Sequence, residues 1–579
     1  MSRRALWCCI VGLLIIGACT ATPEGEPSVD AETDGAEEER PEEEAGQPVP
    51  TVDDDDDDAG GDPLSPQGDL PVAMCWSFDI AGDPGGIELA DDTEGLGFNA
   101  PLTGMLGHAF AAGDLTADGW LDVFVGSFAD RPEDVYQVRG ASGPSPDRVL
   151  LGGPGGLAVD DRFPSVRERT SGALFADLTL DGHLDLVAAR NPRGEGRGAG
   201  PTTVYRNDGA ELSEAAALLP DVAARAVAPL DLDGDGKLDL FVVADRWGGG
   251  SSVLLRNDGE LSFTDVTAAA GLPVEGLHGL GAGAADLTGN GHTDVFVAGD
   301  NRLFINRGDG TFREADSGVF DWETFGNEDE VAGIAIADLT RNGRPDIVLG
   351  HHYNSTVDFG ERVPIRLYLN DGVDDRGDPI FRDVTEQAGL ADLPTKAPHV
   401  ELADIDNDGW PDIVTSASAK GGKEPAIFRH EGLVDGIPRF STPEGLGEEQ
   451  YWVTGGAIDL TRDGRLEILQ VEWFPELPSR LWVNTGDVGN AIQVQVPPHA
   501  FGAAVEAYET GELGEPDALI ASREVIGSIG YAAGGPPIVH LGLGDRASID
   551  LRVTLPDGRV AELVDTPVNR HLRAAGDCP

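Results

Sequence analysis

The sequence predicts an all-β chain: a seven-bladed β-propeller followed by a small C-terminal β-domain. Three observations carry this. An aspartate-rich nonapeptide recurs seven times, short apolar runs of strand length flank every copy with no helix signal between them, and the recurrence stops near residue 489, where a different alternating pattern begins. With 579 residues the chain is several times the usual domain size, so more than one folded unit is expected.

In chain order, residues 1–19 read as an export signal: Arg3 and Arg4 precede an apolar run from Ala5 to Ile16 that is too short for a comfortable membrane span. Ile16-Gly17-Ala18-Cys19 resembles the bacterial lipobox, which implies acylation of Cys19 and anchoring to a membrane through its lipid; Thr20, not being aspartate, then favours the outer membrane. Residues 20–72 carry 19 acidic side chains against Arg40 alone, with Asp53 to Asp58 consecutive. Such a segment buries too little apolar surface to offset its ordering entropy, so it reads as a disordered acidic linker. The folded remainder is also acidic, with 84 acids against 37 Lys and Arg, which argues against nucleic acid as a partner. Cys8 and Cys9 lie in the signal and Cys19 is the lipid site, so Cys75 and Cys578 remain as the one pair an exported protein could oxidise.

Residues 73–488 hold the repeats. The nonapeptides begin at Asp114, Asp177, Asp231, Asp286, Asp338, Asp404 and Asp459, at intervals of 63, 54, 55, 52, 66 and 55 residues. Before each copy comes a short run of small and apolar residues, such as AFAAG or GIAIA, and after it a run rich in Val, Ile, Leu and Phe, such as LFVVA. A third run follows (VLLRN at 253–257), then a turn (Asn257-Asp258-Gly259), then a fourth run (LSFTDVT at 261–267). Each period is thus a four-stranded antiparallel sheet, and about seven such units in series resemble propeller blades.

Crowded carboxylates repel unless a cation joins them. Acids at alternate positions of a tight loop converge on one centre, a glycine at the sixth position allows the bend, and calcium takes six to eight oxygens at about 2.3–2.6 Å. The expected ligands are Asp231, Asp233, Asp235 and Asp239 in one loop and Asp404, Asp406, Asp408 and Asp412 in another, with the carbonyls of Lys237 and Trp410. Four-ligand sets with threonine third follow at Asp114, Thr116, Asp118 and Asp122, at Asp177, Thr179, Asp181 and Asp185, and at Asp459, Thr461, Asp463 and Glu467. The two weakest loops replace the fifth acid as well: Asp286, Thr288, Asn290, Asp294 and Asp338, Thr340, Asn342, Asp346. Up to seven calcium sites result. The absence of a glutamate at position 12 excludes an EF-hand, and full wrapping by protein oxygens leaves no open position for chemistry, so the ions read as structural. At millimolar calcium a site dissociating at roughly 10⁻⁴–10⁻³ M stabilises the fold by about 0.4–1.4 kcal/mol.

These nonapeptides and their flanks resemble the FG-GAP and VCBS repeats of integrin-α-type propellers, which implies an extracellular calcium-binding propeller. From residue 489 the stretch 539–572 alternates like a small β-domain with a Pro556-Asp557-Gly558 turn. It resembles the ASPIC/UnbV domain through Leu541-Gly542-Leu543-Gly544, Leu555-Pro556-Asp557-Gly558 and Asn569, although the domain's tryptophan is absent. Together the two parts resemble the cartilage acidic protein (CRTAC-like) family, which implies no defined reaction.

Insertions at 127–147, 190–201, 350–364 and 471–478 fall on the face opposite the aspartate loops and carry or adjoin Tyr136, Trp247, His351, His352, Tyr353 and Trp473. That face is the expected binding surface for a protein or glycan. The tripeptides Arg307-Gly308-Asp309 and Arg376-Gly377-Asp378 fall in turns where such residues are ordinary, and His351-His352 reads as a surface pair. The functional expectation is a non-catalytic, calcium-stabilised binding or adhesion lipoprotein. The alternatives are a lyase or hydrolase using the central channel, which converging His, Arg and acidic groups at the channel mouth would favour, and a passive structural component of the envelope.

Overall fold

The computed structural model describes residues 70–579 apart from 81, 83–85, 138–139, 142, 192–199, 210, 219–221, 247–249, 321–328, 354–364, 391, 394–395 and 420–422. The signal, Cys19, almost all of the linker and Trp247 therefore lie outside the described residues, as do parts of the insertions at 127–147, 190–201 and 350–364.

The described chain is all-β apart from single helical turns. Seven of its sheets each place one aspartate-rich loop between their first two strands; the first has Gly107–Gly113 and Asp122–Ser127 on either side of residues 114–121. The ninth residue of every loop opens the second strand, so its side chain is held by sheet geometry. Each first strand touches the first strand of the next sheet, and the last, Thr454–Ile458, touches Gly107–Gly113, which closes a ring. Small residues in these strands have a physical cause: a β-carbon on Gly281 would stand 2.3 Å from the carbonyl oxygen of Ala332 in the next sheet, and one on Gly333 2.2 Å from that of Pro398. The ring is sealed by a strand from near the start of the folded chain. Leu89–Asp91 pairs with Arg480–Asn484 as the fourth strand of the seventh sheet, which leaves that sheet no unpaired junction in sequence order.

The remaining strands form two four-stranded sheets, Val72–Ser77 with Arg570–Ala574, Asn490–Gln495 and Ile538–Gly544, and Leu519–Glu524 with Ala504–Tyr508, Ser548–Thr554 and Val560–Pro567. The expected domain start at residue 73 is thus displaced: residues 72–77 pair with 570–574 in the C-terminal domain, because the apolar alternation of VAMCWS completes that sheet and not a ring sheet. Cys75 and Cys578 are bonded beside this pairing, their Cα atoms 5.2 Å apart. One continuous apolar cluster joins Ile492, Val505 and Leu541 of this domain to Leu178, Leu238 and Val242 of the ring.

The C-terminal domain also sends a hairpin, residues 527–534, along the axis of the ring. Gly527 abuts Pro229, Ser528 Oγ donates to the carbonyl of Ala282 at 2.9 Å, Gly530 and Ile334 exchange two 3.1 Å backbone hydrogen bonds, and Gly534 abuts Ala173. Phe110 N donates to the Ala532 carbonyl at 3.2 Å, Tyr531 N donates to His399 Nδ1 at 3.2 Å, and Thr454 Oγ1 donates to the Tyr531 carbonyl at 2.6 Å. These partners come from the first strands of all seven sheets or, for His399, the residue just before one, so the hairpin can only lie where the strands converge.

Candidate functional site

Two constellations stand out, the aspartate loops and the tip of the axial hairpin.

In all seven loops the first acid is a cap for the loop's own backbone. Asp404 Oδ1 accepts from Asp408 N at 3.0 Å and Oδ2 from Gly409 N at 2.8 Å; Asp231 accepts from Gly234 N and Gly236 N, both at 2.9 Å. The ninth acid does the same from the opposite wall. Asp412 accepts from Ile405 N at 3.1 Å and His430 N at 2.9 Å, Asp239 from Leu232 N at 2.8 Å and Asn257 N at 2.7 Å, and Glu467 from Leu460 N at 2.8 Å, so the extra methylene of the glutamate is accommodated. Part of the acid density expected to serve a metal therefore serves turn formation.

The third position decides which loops gather charge. Only where it is aspartate do three carboxylates converge among the described residues: Asp231, Asp233 and Asp239, and Asp404, Asp406 and Asp412, each set offering oxygens within 4.8 Å of one another. Where the third residue is Thr116, Thr179, Thr288, Thr340 or Thr461, no such group of three forms among the described residues. The fifth-position acids are drawn aside: Asp235 pairs with Lys237, and Asp408 lies 3.2 Å from the Arg429 guanidinium. The second set is fully buried; Arg429 Nε contacts Asp406 Oδ2 at 2.6 Å, whereas Asp406 Oδ1 is buried with no hydrogen-bond partner among the described residues. Burial and the neighbouring carboxylates push Asp404 and Asp412 well above the ordinary carboxylate range, and burial raises Asp239 to about 7. Such groups suit a hard divalent cation, which neutralises the charge and takes up the orphaned oxygen.

An asparagine that sequence reasoning passed over stitches the loops together. Asn207, Asn257, Asn370 and Asn484, each on a third strand, donate through Nδ2 to the carbonyls of Leu115, Leu178, Leu287 and Ile405 in the preceding sheet's loop at 2.8, 2.8, 2.9 and 2.9 Å. The Asn repeated at this place in five of the seven periods, at 207, 257, 306, 370 and 484, was the available signal.

The C-terminal domain rests on this face. Gln493 Nε2 donates to Asp459 Oδ2 at 2.7 Å, Asp286 N donates to Glu524 Oε2 at 3.1 Å, Arg523 Nη1 donates to the Asp338 carbonyl at 3.4 Å, and Asp177 N donates to the Pro498 carbonyl at 3.2 Å.

At the hairpin tip, Tyr531 meets a cluster of ring residues. Arg225 Nη1, which can only donate, lies 3.1 Å from His108 Nε2, so that nitrogen is the acceptor and His108 Nδ1 carries the hydrogen given to the Ser171 carbonyl at 3.1 Å. Tyr531 Oη is 3.3 Å from the same Nε2. Burial, then Arg225 and Arg169, hold His108 well below its ordinary pKa, so it is neutral. Tyr531 N fixes His399 Nδ1 as an acceptor, and His399 Nε2 faces Glu401 Oε2 at 3.6 Å. Trp473 packs edge-on to His108 at 5.5 Å.

Two expectations for the insertion face are corrected. His351 is fully buried within Asp346–Tyr353, where burial lowers its pKa to about 3, so the histidine pair is not a surface pair. Tyr136 is also buried, its hydroxyl donating to the Phe128 carbonyl at 2.7 Å. Asp378 of the second tripeptide is buried and paired with Arg313 and Arg376.

Comparison with known proteins places two family matches on the chain. An FG-GAP-like repeat matches residues 177–242, 231–297 and 286–349, and the ASPIC and UnbV family matches residues 493–576. Cartilage acidic protein 1 of Homo sapiens is 28% identical over 440 residues, 70% of this chain and 63% of the human protein, so the match spans less than two thirds of that relative. The Mus musculus protein is 26% identical over 491 residues, 79% of this chain and 71% of its own. Among solved structures, the rhamnogalacturonan lyase PL11 of Bacillus licheniformis has a TM-score of 0.35 at 12% identity, covering 72% of this chain and 76% of its own, and the Dos1 propeller has 0.34 at 12%, covering 70% and 98%. The chain thus carries FG-GAP-like repeats followed by an ASPIC and UnbV domain, and it is homologous to cartilage acidic protein 1.

Proposed function

We propose that the protein is a calcium-stabilised binding or adhesion protein without catalytic activity, exported and anchored by lipid on Cys19 at the outer membrane or cell surface. One observation carries the calcium part: three carboxylates converge in the two loops whose third residue is aspartate, Asp233 or Asp406. The occupied face supports the binding part. The C-terminal domain rests on five of the aspartate loops, which leaves the opposite face, with Trp473 and the insertions, for a protein or glycan ligand. Glycan-array and pull-down binding, run with 2 mM calcium and with chelator, tests this. A ligand held in calcium and lost in chelator supports the reading, and identical capture by the still-folded, metal-free protein contradicts it.

A second reading is favoured by a specific observation. Neutral His108, Arg225, Tyr531, His399 and Glu401 converge at the axis, the constellation expected of a lyase or hydrolase site. Turnover of a polysaccharide or ester panel that Tyr531→Phe and His108→Ala abolish would displace the non-catalytic reading; no turnover by wild type across the panel supports it.

A further inference from the structure

We infer that the loop 404–412 is a metal-dependent clasp that seats the C-terminal domain and, through it, holds the axial hairpin in the ring. The inference rests on the calcium reading above and extends it from stability to control of the axial site.

The clasp is built at a backbone approach that only glycine permits. A β-carbon on Gly542 would lie 2.0 Å from Asp404 Oδ2 and 2.5 Å from Asn407 Cα, so the Leu541-Gly542-Leu543-Gly544 strand runs directly against the acid that opens the loop. Asn407, fully buried with φ of 56°, is gripped from four sides. Its carbonyl accepts from Gly544 N at 2.8 Å, its Oδ1 meets His540 Nε2 at 2.7 Å, and its Nδ2 donates to the carbonyls of Gly464 at 3.0 Å and Gly489 at 3.1 Å. Gly489 N returns a bond to the carbonyl of Asp406 at 2.8 Å. Residues of both domains thus hold a left-handed turn between Asp406 and Asp408, the segment whose shape an ion bound to Asp404, Asp406 and Asp412 would set. The buried, unpartnered Oδ1 of Asp406 is the independent sign that the shape is completed by a ligand.

The hairpin at 527–534 and the strand Ile538–Gly544 are four residues apart. Movement of the strand off the loop therefore withdraws Tyr531 from His108 and His399. The other three-acid loop, 231–239, makes no hydrogen bond to the C-terminal domain among the described residues, so it supplies a matched control: the same metal chemistry without the clasp.

Hydrogen–deuterium exchange of residues 525–535 in the full folded chain, in 2 mM calcium and in chelator, tests the inference alongside calorimetric counting of bound calcium. Chelation is expected to raise exchange at Gly530 and Tyr531 by ~10-fold or more. Asp406→Asn should exchange at the chelated rate even in calcium, whereas Asp233→Asn should keep the wild-type calcium response. Gly542→Val should bind calcium at 231–239 yet leave the hairpin unprotected; if it does not fold, His540→Ala, which removes one hydrogen bond, should show the same loss in smaller measure. Calcium bound with hairpin exchange unchanged by chelation, or equal effects of Asp233→Asn and Asp406→Asn, overturns the clasp and leaves the calcium reading standing. No calcium bound at either loop overturns both.

Discussion

Asp233 isolates the metal contribution better than any other residue of the loops. It is exposed, and no hydrogen bond or ion pair holds it among the described residues, so its replacement by asparagine removes no structural contact. What it removes is one of the three carboxylates that converge at 231–239. For a site dissociating at roughly 10⁻⁴–10⁻³ M, 10 mM calcium stabilises the folded state by about 1.4–2.7 kcal/mol. Asp233→Asn should forfeit most of that in calcium and nothing in chelator, where easing repulsion with Asp231 and Asp239 makes it neutral or slightly stabilising. At an unfolding entropy of roughly 2.1 cal/mol/K per residue, 1 kcal/mol moves the midpoint of a chain this long by only about 1 °C. The assay is therefore a calcium titration of the melting midpoint, reading the slope of midpoint against log calcium in wild type and variant. A slope unchanged by the substitution, or equal losses in calcium and in chelator, would mean that Asp233 holds no ion.

Metal-free stability should fall as pH rises from about 5 to 8, the reverse of ordinary acid denaturation. Burial raises Asp122, Asp239 and Asp294 to about 7 in the folded state, against roughly 3.9 unfolded, so across that window the folded chain holds protons that unfolding releases. The midpoint gain from calcium should grow over the same range, and chelated melts that are more stable at pH 8 than at pH 5 would contradict this. Replacing Cys75 and Cys578 by serine should cost about 2–5 kcal/mol, since the bond closes a sequence separation of 503 residues; denaturant melts with and without reductant measure it, and reductant insensitivity of wild type would count against the bond. Asn257→Ala should cost about 1–3 kcal/mol by orphaning the buried Leu178 carbonyl. Asn306→Ala should cost less, because Asn306 Nδ2 finds no acceptor among the described residues while both asparagines cap a following glycine.

The ring of sheets was legible because it is written locally. Each period carries its own strands, its glycine at the sixth position and its paired acids, and a reader needs no long-range information to see them. The order of the loops was legible too: counting acids at the third position singles out Asp233 and Asp406, the two loops where carboxylates converge. What the nonapeptide did not disclose is that its first and ninth acids cap backbone N–H groups in every loop, since capping and metal binding ask for the same side chain at the same place. The rest is tertiary. VAMCWS at 72–77 and LAD at 89–91 are too short to declare a partner, and their partners lie at 570–574 and 480–484, almost a whole chain away. Nothing in residues 527–534 by itself says that they line the axis; that follows from close approaches made on the hairpin side by glycine, such as Gly534 against Ala173 and Gly527 against Pro229. His351 departs from the surface position that the sequence predicts for a related reason: its strand extends through Tyr353, beyond the apolar run IVLG, into what polarity alone marks as a loop.

Anomalous diffraction from crystals grown in calcium distinguishes a metal from water in the two three-acid loops. A peak is expected about 2.3–2.6 Å from the carboxylates of Asp231, Asp233 and Asp239, and another among Asp404, Asp406 and Asp412. Water alone at both places, with Lys237 and Arg429 still the counter-charges of these loops, would contradict the calcium reading.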